Sequence, residues 1–234
     1  MAEAAGSPLL HRRVDAALAV ASALVIAWGV LALGWPVFFV MALFWFENVV
    51  IGGFNVLRML LSGLRSGGAG IVAALAMAAF FTVHYGMFTA VHGAFVVMLF
   101  GLPELGRGAM DGGLVAPAMR MIESLMADRA GWLAMLAVVV VQAAAFVQWS
   151  IATRESPTPL KELMGAPYGR IMVLHVSLIA GAFLLQALRS PVAGVLLLVA
   201  LKLAYDLMVL GRGPRREVPA DAPRVLATAR RNLR

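Results

Sequence analysis

Long runs of apolar residues, separated by short polar connections, dominate the hydropathy pattern of this chain. A helix needs about 20 apolar residues to cross the hydrocarbon core of a bilayer, because each residue adds ~1.5 Å. Every backbone hydrogen bond must close within the span, and runs this long favour helices over barrel strands. The pattern therefore predicts an all-α, polytopic integral membrane protein with six transmembrane helices, at about residues 14–34, 36–60, 70–100, 131–152, 169–188 and 191–210.

The basic residues between these runs predict the orientation of the chain. Fourteen Lys and Arg residues lie on the side of the two termini, and four lie on the other side. Cytoplasmic loops carry the excess of basic residues, so we expect a bacterial inner-membrane protein with both termini in the cytoplasm. The connection 153–168 is then a cytoplasmic loop, and residues 212–234 are predicted to form a disordered basic cytoplasmic tail.

The composition agrees with this class and removes several others. Hydrophobic residues make up 62% of the chain and charged residues 13%, whereas soluble domains have about 45–50% and about 25%. The absence of cysteine excludes disulfides, iron–sulfur clusters and thiolate metal sites. The net charge of +7 falls mostly in loops and the tail, so we expect membrane lipids and no nucleic acid as partners. Homo-oligomer formation stays open.

Residues 117–129 have the pattern of an outer amphipathic segment. Pro117 suits the first turn of a helix, and apolar residues recur on one face at helical spacing. The other face carries the polar residues Arg120, Glu123, Ser124 and Asp128. Such a helix would lie flat at the membrane surface as a lid or collar, or it would only pack against the bundle.

Glu47 stands near the middle of the second run, where a carboxylate is costly to keep in hydrocarbon. Intramembrane ionisable groups usually face the bundle interior and mark a functional site. Beside it, five residues share one helix face through their i, i+3, i+4 and i+7 spacing: Trp45, Asn48, Gly52, Asn55 and Met59. We expect a neighbouring helix to approach closely at Gly52 and Gly53, and both asparagines to donate hydrogen bonds within the bundle.

The third run contains His84 and His92, with Tyr85 beside the first. Eight residues of helix place the two imidazoles about 80° apart and ~12 Å apart along the axis, so one rigid helix does not bring both to one ion. The run is also longer than a bilayer requires. We expect it to tilt, protrude or break, with Gly86 and Gly93 as the weakest points.

The last two runs form a tight hairpin, which places His175 of the fifth span and Asp206 of the sixth at matching depth. Lys202 lies one turn from Asp206 at i, i+4 spacing. Tyr205, next to the aspartate, offers a hydroxyl group. These residues extend the predicted polar cluster to four of the six spans.

Three interpretations of this cluster remain open. In the first, His84, His175 and Asp206 bind zinc or another divalent metal, with Glu47 as a fourth ligand or general base. In the second, the same carboxylates and imidazoles form a proton or ion pathway. In the third, they form a structural core of ion pairs and hydrogen bonds. The supporting polar residues are the same in each case: Asn48, Asn55, Tyr85, His92, Lys202 and Tyr205.

Each interpretation implies a function. A metal site with a bound water favours a hydrolase acting on a lipid-like substrate. A pathway favours a small proton-coupled transporter or a membrane relay component, and a buried ion-pair core favours a structural or assembly protein. Haem is a further cofactor hypothesis, which requires His84 and His175 at one depth on facing helices.

Four segments carry a resemblance: 44–52 (FWFENVVIG), 83–88 (VHYGMF), 167–175 (PYGRIMVLH) and the stretch from Lys202 to Asp206. They resemble a family of bacterial integral membrane proteins known only as a domain of unknown function. The resemblance covers nearly the whole membrane part and leaves out the tail. It implies a six-helix architecture and assigns no chemistry.

Overall fold

A computed structural model describes residues 20, 23–24, 26–169, 172, 176, 196–197, 199–201, 203–204 and 207–208. All regular secondary structure in these residues is helical, which confirms the all-α class for them. The α-helices between residues 37 and 165 are α1 (Val37–Ser66), α2 (Gly68–Val96), α3 (Leu102–Leu105), α4 (Ala116–Ala127), α5 (Arg129–Ala152) and α6 (Leu160–Gly165). A π-helical turn, Val97–Gly101, joins α2 to α3, and a 3₁₀ turn, Arg107–Met110, follows α3.

Three helices of the described chain are long and apolar enough to cross a membrane: Val37–Ser66, Gly68–Leu105 and Arg129–Ala152. They correspond to the second, third and fourth predicted spans. The first extends to Ser66 and the second to Leu105, so both are longer than the hydropathy pattern predicts. The predicted spans 14–34, 169–188 and 191–210 lie largely outside the described residues.

The two longest helices form an antiparallel hairpin closed by a very short turn. Gly67 connects them at φ 68°, a left-handed conformation that favours glycine. Near this turn Gly63 lies directly against Ala74, where any side chain on the glycine would overlap its neighbour. Small residues therefore allow the two backbones to approach closely, as they do in membrane helix pairs.

The helix of the third predicted span changes pitch at the π-helical turn Val97–Gly101 and continues to Leu105, and the expectation of a break at Gly86 or Gly93 is wrong. The helix runs without interruption through both glycines. Gly93 serves packing instead, because a Cβ atom there would lie 2.9 Å from the Nε1 atom of Trp45. Gly101, in the π-helical turn, likewise leaves room for the ring of Phe38, because a Cβ atom there would lie 2.7 Å from Cε2 of that ring.

Two clusters of buried side chains hold the helices together. The larger surrounds the first turns of α1, where Phe38, Met41 and Trp45 pack with Val96 of α2 and Met121 of α4. The smaller lies at the other half of the hairpin and contains Met59, Ala78, Phe81, Tyr85 and Leu163. The polar face predicted on α1 runs between the two clusters.

The predicted amphipathic segment 117–129 forms α4, with Pro117, Met121 and Leu125 buried against the bundle. Its other side remains exposed, and this side includes Met119 and Met126 as well as the Arg120–Glu123 ion pair at 3.1 Å. α5 is apolar all round and largely exposed, with Leu133, Val140 and Ile151 among its exposed residues. A helix that is apolar on every side is suited to a lipid environment.

Candidate functional site

A polar face on α1 is buried between helices, and its members are those that the helical spacing identifies. Asn48, Gly52 and Asn55 are all buried. The ring of Tyr85 on α2 lies against Gly52, and its hydroxyl group donates a hydrogen bond of 3.1 Å to the backbone carbonyl of Asn48. The close approach expected at Gly52 and Gly53 is therefore present at Gly52, where Tyr85 uses it. At Gly53 the expectation is wrong, because no atom of the described residues lies within 4 Å of a Cβ atom placed there.

A second hydrogen-bonded contact between α1 and α2 lies two turns nearer the start of α1. The indole Nε1 of Trp45 donates a hydrogen bond of 2.8 Å to the backbone carbonyl of Thr89. The Thr89 hydroxyl in turn donates to the backbone carbonyl of Tyr85 at 2.8 Å. Each of these buried donors is thus satisfied by a helix backbone, which couples α1 and α2 without using any charged group.

The two asparagines donate to backbone carbonyls. The Nδ2 atom of Asn48 donates to the carbonyl of Phe44, one turn earlier in its own helix, at 2.8 Å. The Nδ2 atom of Asn55 donates to the carbonyl of Leu163, which is far away in sequence, at 2.7 Å. The Oδ1 atoms of both asparagines are buried and have no hydrogen-bond partner among the residues that the structure describes.

His84 is held by aromatic rings on three sides. Its imidazole stacks on Phe80 with ring centroids 5.3 Å apart, and it meets Phe88 edge-on at 5.1 Å. The ring of Tyr168 lies 5.9 Å away. Neither imidazole nitrogen has a hydrogen-bond partner within the described part of the chain, although the side chain is half-buried.

Tyr168 brings the end of the 153–168 connection to this histidine. Its ring also meets Phe81 and Tyr85 edge-on, at 6.3 and 6.2 Å. Its hydroxyl oxygen is buried and has no partner among the described residues. Burial raises the pKa of this phenol above its ordinary value of 10.0, so the hydroxyl group remains protonated at neutral pH.

His92 has a different environment from His84. It is only 1% exposed, and its Nδ1 atom lies 2.7 Å from the backbone carbonyl of Phe88. One imidazole therefore bonds a carbonyl in the core, while the other is surrounded by rings. The two histidines occupy separate surroundings, in agreement with their eight-residue spacing.

The remaining predicted site residues are placed only in part. Glu47 is half-buried on α1, immediately before Asn48. His175, Lys202, Tyr205 and Asp206 lie outside the described residues. Within the described part of the chain, no three His, Cys, Asp or Glu side chains form a group that could hold a metal ion.

Sequence reasoning missed the contribution of the connection between α5 and the predicted fifth span. We call residues 153–168 the connecting strap. Its Leu163 is buried in the cluster around Tyr85, and its Thr158 carbonyl accepts a hydrogen bond of 2.7 Å from the Ser62 hydroxyl. The Thr158 hydroxyl accepts another from Trp149 at 3.2 Å. Apolar residues at 160, 163 and 164, just after Pro159, were the only sequence signal of this packing.

Comparisons with known proteins identify a family and nothing further. A family model described as a family of unknown function (DUF6498) matches residues 6–223. It therefore covers all the predicted spans and the beginning of the tail. No curated protein matches the chain, and no solved structure matches it.

Proposed function

Because the chain belongs to DUF6498, a family of unknown function, we propose its role from its own residues: a membrane protein that binds a zinc-type divalent metal ion at His84. In this proposal six helices cross the bacterial inner membrane with both termini in the cytoplasm. His175 and Asp206 complete the ligand set, and Glu47 is a fourth ligand or a general base.

The state of the His84 imidazole carries the proposal. Buried polar groups in folded proteins nearly always have hydrogen-bond partners. The described residues offer none to His84, yet three aromatic rings fix its position. A fixed imidazole whose nitrogens are not used by neighbouring side chains is suited to bind a metal ion, because a nitrogen lone pair is the group that coordinates.

The metal would supply hydrolytic chemistry. Zinc held by three protein ligands retains a water molecule and lowers its pKa towards neutrality. Glu47 would then accept a proton from that water as general base. A site within apolar helices is most accessible to a lipid-like substrate, so the proposed reaction is hydrolysis of such a molecule.

Elemental analysis tests metal binding directly. The full chain would be purified in detergent, washed with a chelator, reloaded with zinc and measured beside the variants His84→Ala and His92→Ala. We expect stoichiometric metal in the wild type and in His92→Ala, and a loss of metal in His84→Ala. Equal metal content in all three proteins, or none in any, contradicts the proposal. A visible absorption spectrum of the same samples tests haem, which would give an intense Soret band.

A proton-relay function is the second candidate, and the Tyr168 hydroxyl favours it. This group lies in the same aromatic cluster as His84, with ring centroids 5.9 Å apart, and has no described partner, so the proposed relay includes the phenol and the imidazole. Glu47 would continue the pathway within α1. Proton flux into liposomes should then fall in Glu47→Gln and in Tyr168→Phe, and unchanged flux in both variants would exclude the relay.

A structural role is the third candidate, and the hydrogen bonds that join α1 to α2 and to the strap favour it. Trp45, Asn55 and Tyr85 each donate to a backbone carbonyl of another segment. In this case, substitutions in the polar cluster lower stability and change neither metal content nor proton flux. The two experiments above therefore separate the three candidates.

A further inference from the structure

The end of α5 holds an arginine in a fixed position. The Nη2 atom of Arg65 donates a hydrogen bond of 2.8 Å to the carbonyl of Ser150, and its Nη1 atom donates one of 3.1 Å to the Thr153 hydroxyl. That hydroxyl donates in turn to the carbonyl of Trp149 at 2.8 Å. The guanidinium is therefore oriented by the last turn of α5, where unpaired carbonyls attract a cation.

Both partners of this guanidinium are neutral. No carboxylate of the described residues lies within ion-pair distance of Arg65. Two hydrogen bonds to neutral oxygens leave its remaining N–H groups and its positive charge available to an anion. A carboxylate or phosphate group stabilises a half-buried guanidinium strongly, because two of its oxygens can accept two parallel N–H hydrogen bonds from the guanidinium.

More basic groups surround this position. Arg154 directly follows Thr153 and is exposed, and the guanidinium of Arg58 lies 5.8 Å from the centre of the Trp149 ring. With Lys161, four basic side chains stand on the last turns of α1 and on the strap. The acidic side chains of the strap are Glu155 and Glu162, so these six described residues together carry an excess of two positive charges.

The position is also at the end of two helices that are long enough to cross a membrane. α1 ends at Ser66 and α5 at Ala152. Trp149 has the amphipathic ring that is common at the membrane–water interface. Ile151, one residue before the end of α5, is 69% exposed and apolar. Basic groups therefore lie beside an apolar surface, as a headgroup and its acyl chains would require.

We propose that Arg65 and Arg154 bind the phosphate of an anionic phospholipid such as phosphatidylglycerol in the adjoining leaflet. Arg65 provides a pre-oriented donor fork, and Arg154 provides a second charge on the exposed side. The acyl chains lie along the apolar surface around Ile151. Free phosphate offers the same anionic oxygens but would gain nothing from this surface, so the lipid is the proposed source.

Lipid retention in nanodiscs tests the proposal. The full chain would be reconstituted in equal amounts of phosphatidylglycerol and phosphatidylcholine, re-extracted mildly, and the retained lipids counted by mass spectrometry. The variants are Arg65→Gln and Arg154→Gln. The matched control is Arg129→Gln, which removes an exposed arginine from the opposite end of α5.

We expect the wild type and Arg129→Gln to retain phosphatidylglycerol in preference to phosphatidylcholine. Arg65→Gln and Arg154→Gln should each lower the preference for phosphatidylglycerol about fivefold. This factor corresponds to ~1 kcal/mol for a basic residue near an anionic membrane surface. Arg154→Gln keeps the test valid if Arg65→Gln fails to fold, because the Arg154 side chain is exposed. Equal preference in all four proteins overturns the proposal.

A second arm separates the lipid from free phosphate. The thermal unfolding midpoint would be measured in neutral detergent with added phosphatidylglycerol or with inorganic phosphate at the same phosphate concentration. We expect only the lipid to raise the midpoint, and we expect Arg154→Gln to reduce that rise. An equal rise with inorganic phosphate overturns the assignment to a lipid. Neither arm depends on metal content, so the outcome is independent of the proposed metal site.

Discussion

Gly52 of α1 lies directly against the ring of Tyr85 of α2, so that a Cβ atom at position 52 would be 2.5 Å from Cε1 of the tyrosine. This contact lets the phenol cross to α1 and donate to the Asn48 carbonyl at 3.1 Å. The absence of a side chain at Gly52 thus allows both the close packing of two long apolar helices and the satisfaction of a buried hydroxyl group.

Substitution of Gly52 should destabilise the hairpin. We expect Gly52→Ala to lower the free energy of unfolding by about 1–3 kcal/mol, because the added methyl group displaces the Tyr85 ring. Gly53→Ala is the matched control, since no atom lies within 4 Å of a Cβ at that position. Denaturant unfolding in detergent would measure both variants. Equal losses of stability in the two would contradict the role assigned to the Gly52–Tyr85 contact.

The two tyrosines of the cluster should respond differently to loss of their hydroxyl groups. Tyr85→Phe removes the hydrogen bond to the Asn48 carbonyl, and we expect it to cost about 0.5–1.5 kcal/mol of stability. Tyr168→Phe removes a hydroxyl group that has no described partner, so we expect no loss of stability. Thermal unfolding of the two variants beside the wild type would check this. A larger loss in Tyr168→Phe would show that its hydroxyl group has a strong partner.

The connecting strap should depend on Asn55 more than on Asn48. Asn55→Leu removes a bond to the strap and leaves the Leu163 carbonyl without this donor, at an expected cost of about 1–3 kcal/mol. Asn48→Leu removes only a bond within α1. Hydrogen exchange of residues 158–168 would report the difference, with faster exchange in Asn55→Leu alone. Similar exchange in the two variants would mean that other contacts hold the strap.

The packing of α4 should depend on its buried face. Met121 is fully buried beside Gly93, and we expect Met121→Ala to cost about 2–5 kcal/mol. Met119 on the same helix is 57% exposed, and Met119→Ala should change stability by less than about 0.5 kcal/mol. The comparison uses unfolding midpoints of the two variants in one detergent. If Met121→Ala proved as mild as Met119→Ala, α4 would be only loosely attached to the bundle.

Part of the candidate site follows from helical periodicity. The spacing of Trp45, Asn48, Gly52, Asn55 and Met59 identifies the buried face of α1, because residues at these intervals must lie on one side of any helix. Periodicity does not choose their partners. Asn55 bonds the carbonyl of a residue 108 positions later, and no local pattern contains that information.

The environments of the His84 and His92 imidazoles likewise depend on tertiary contacts that no local sequence pattern contains. Both are histidines in one apolar helix, and the sequence treats them alike apart from their angular separation. Only the packed structure shows that one bonds a carbonyl at 2.7 Å while the other lies among Phe80, Phe88 and Tyr168. The hydrogen-bonding state of a buried group depends on its neighbours in space, which tertiary contacts bring together.

The sequence by itself determined that the described part of the chain is helical and contains apolar segments of membrane-spanning length, because backbone hydrogen bonding and bilayer thickness constrain such runs directly. It also determined the family, since the family model matches residues 6–223. The tertiary structure decided where the helix of the third predicted span changes pitch, how the strap packs onto α1 and which polar groups are satisfied. These features result from contacts between residues distant in sequence, and their energies depend on shape complementarity that composition and periodicity do not encode.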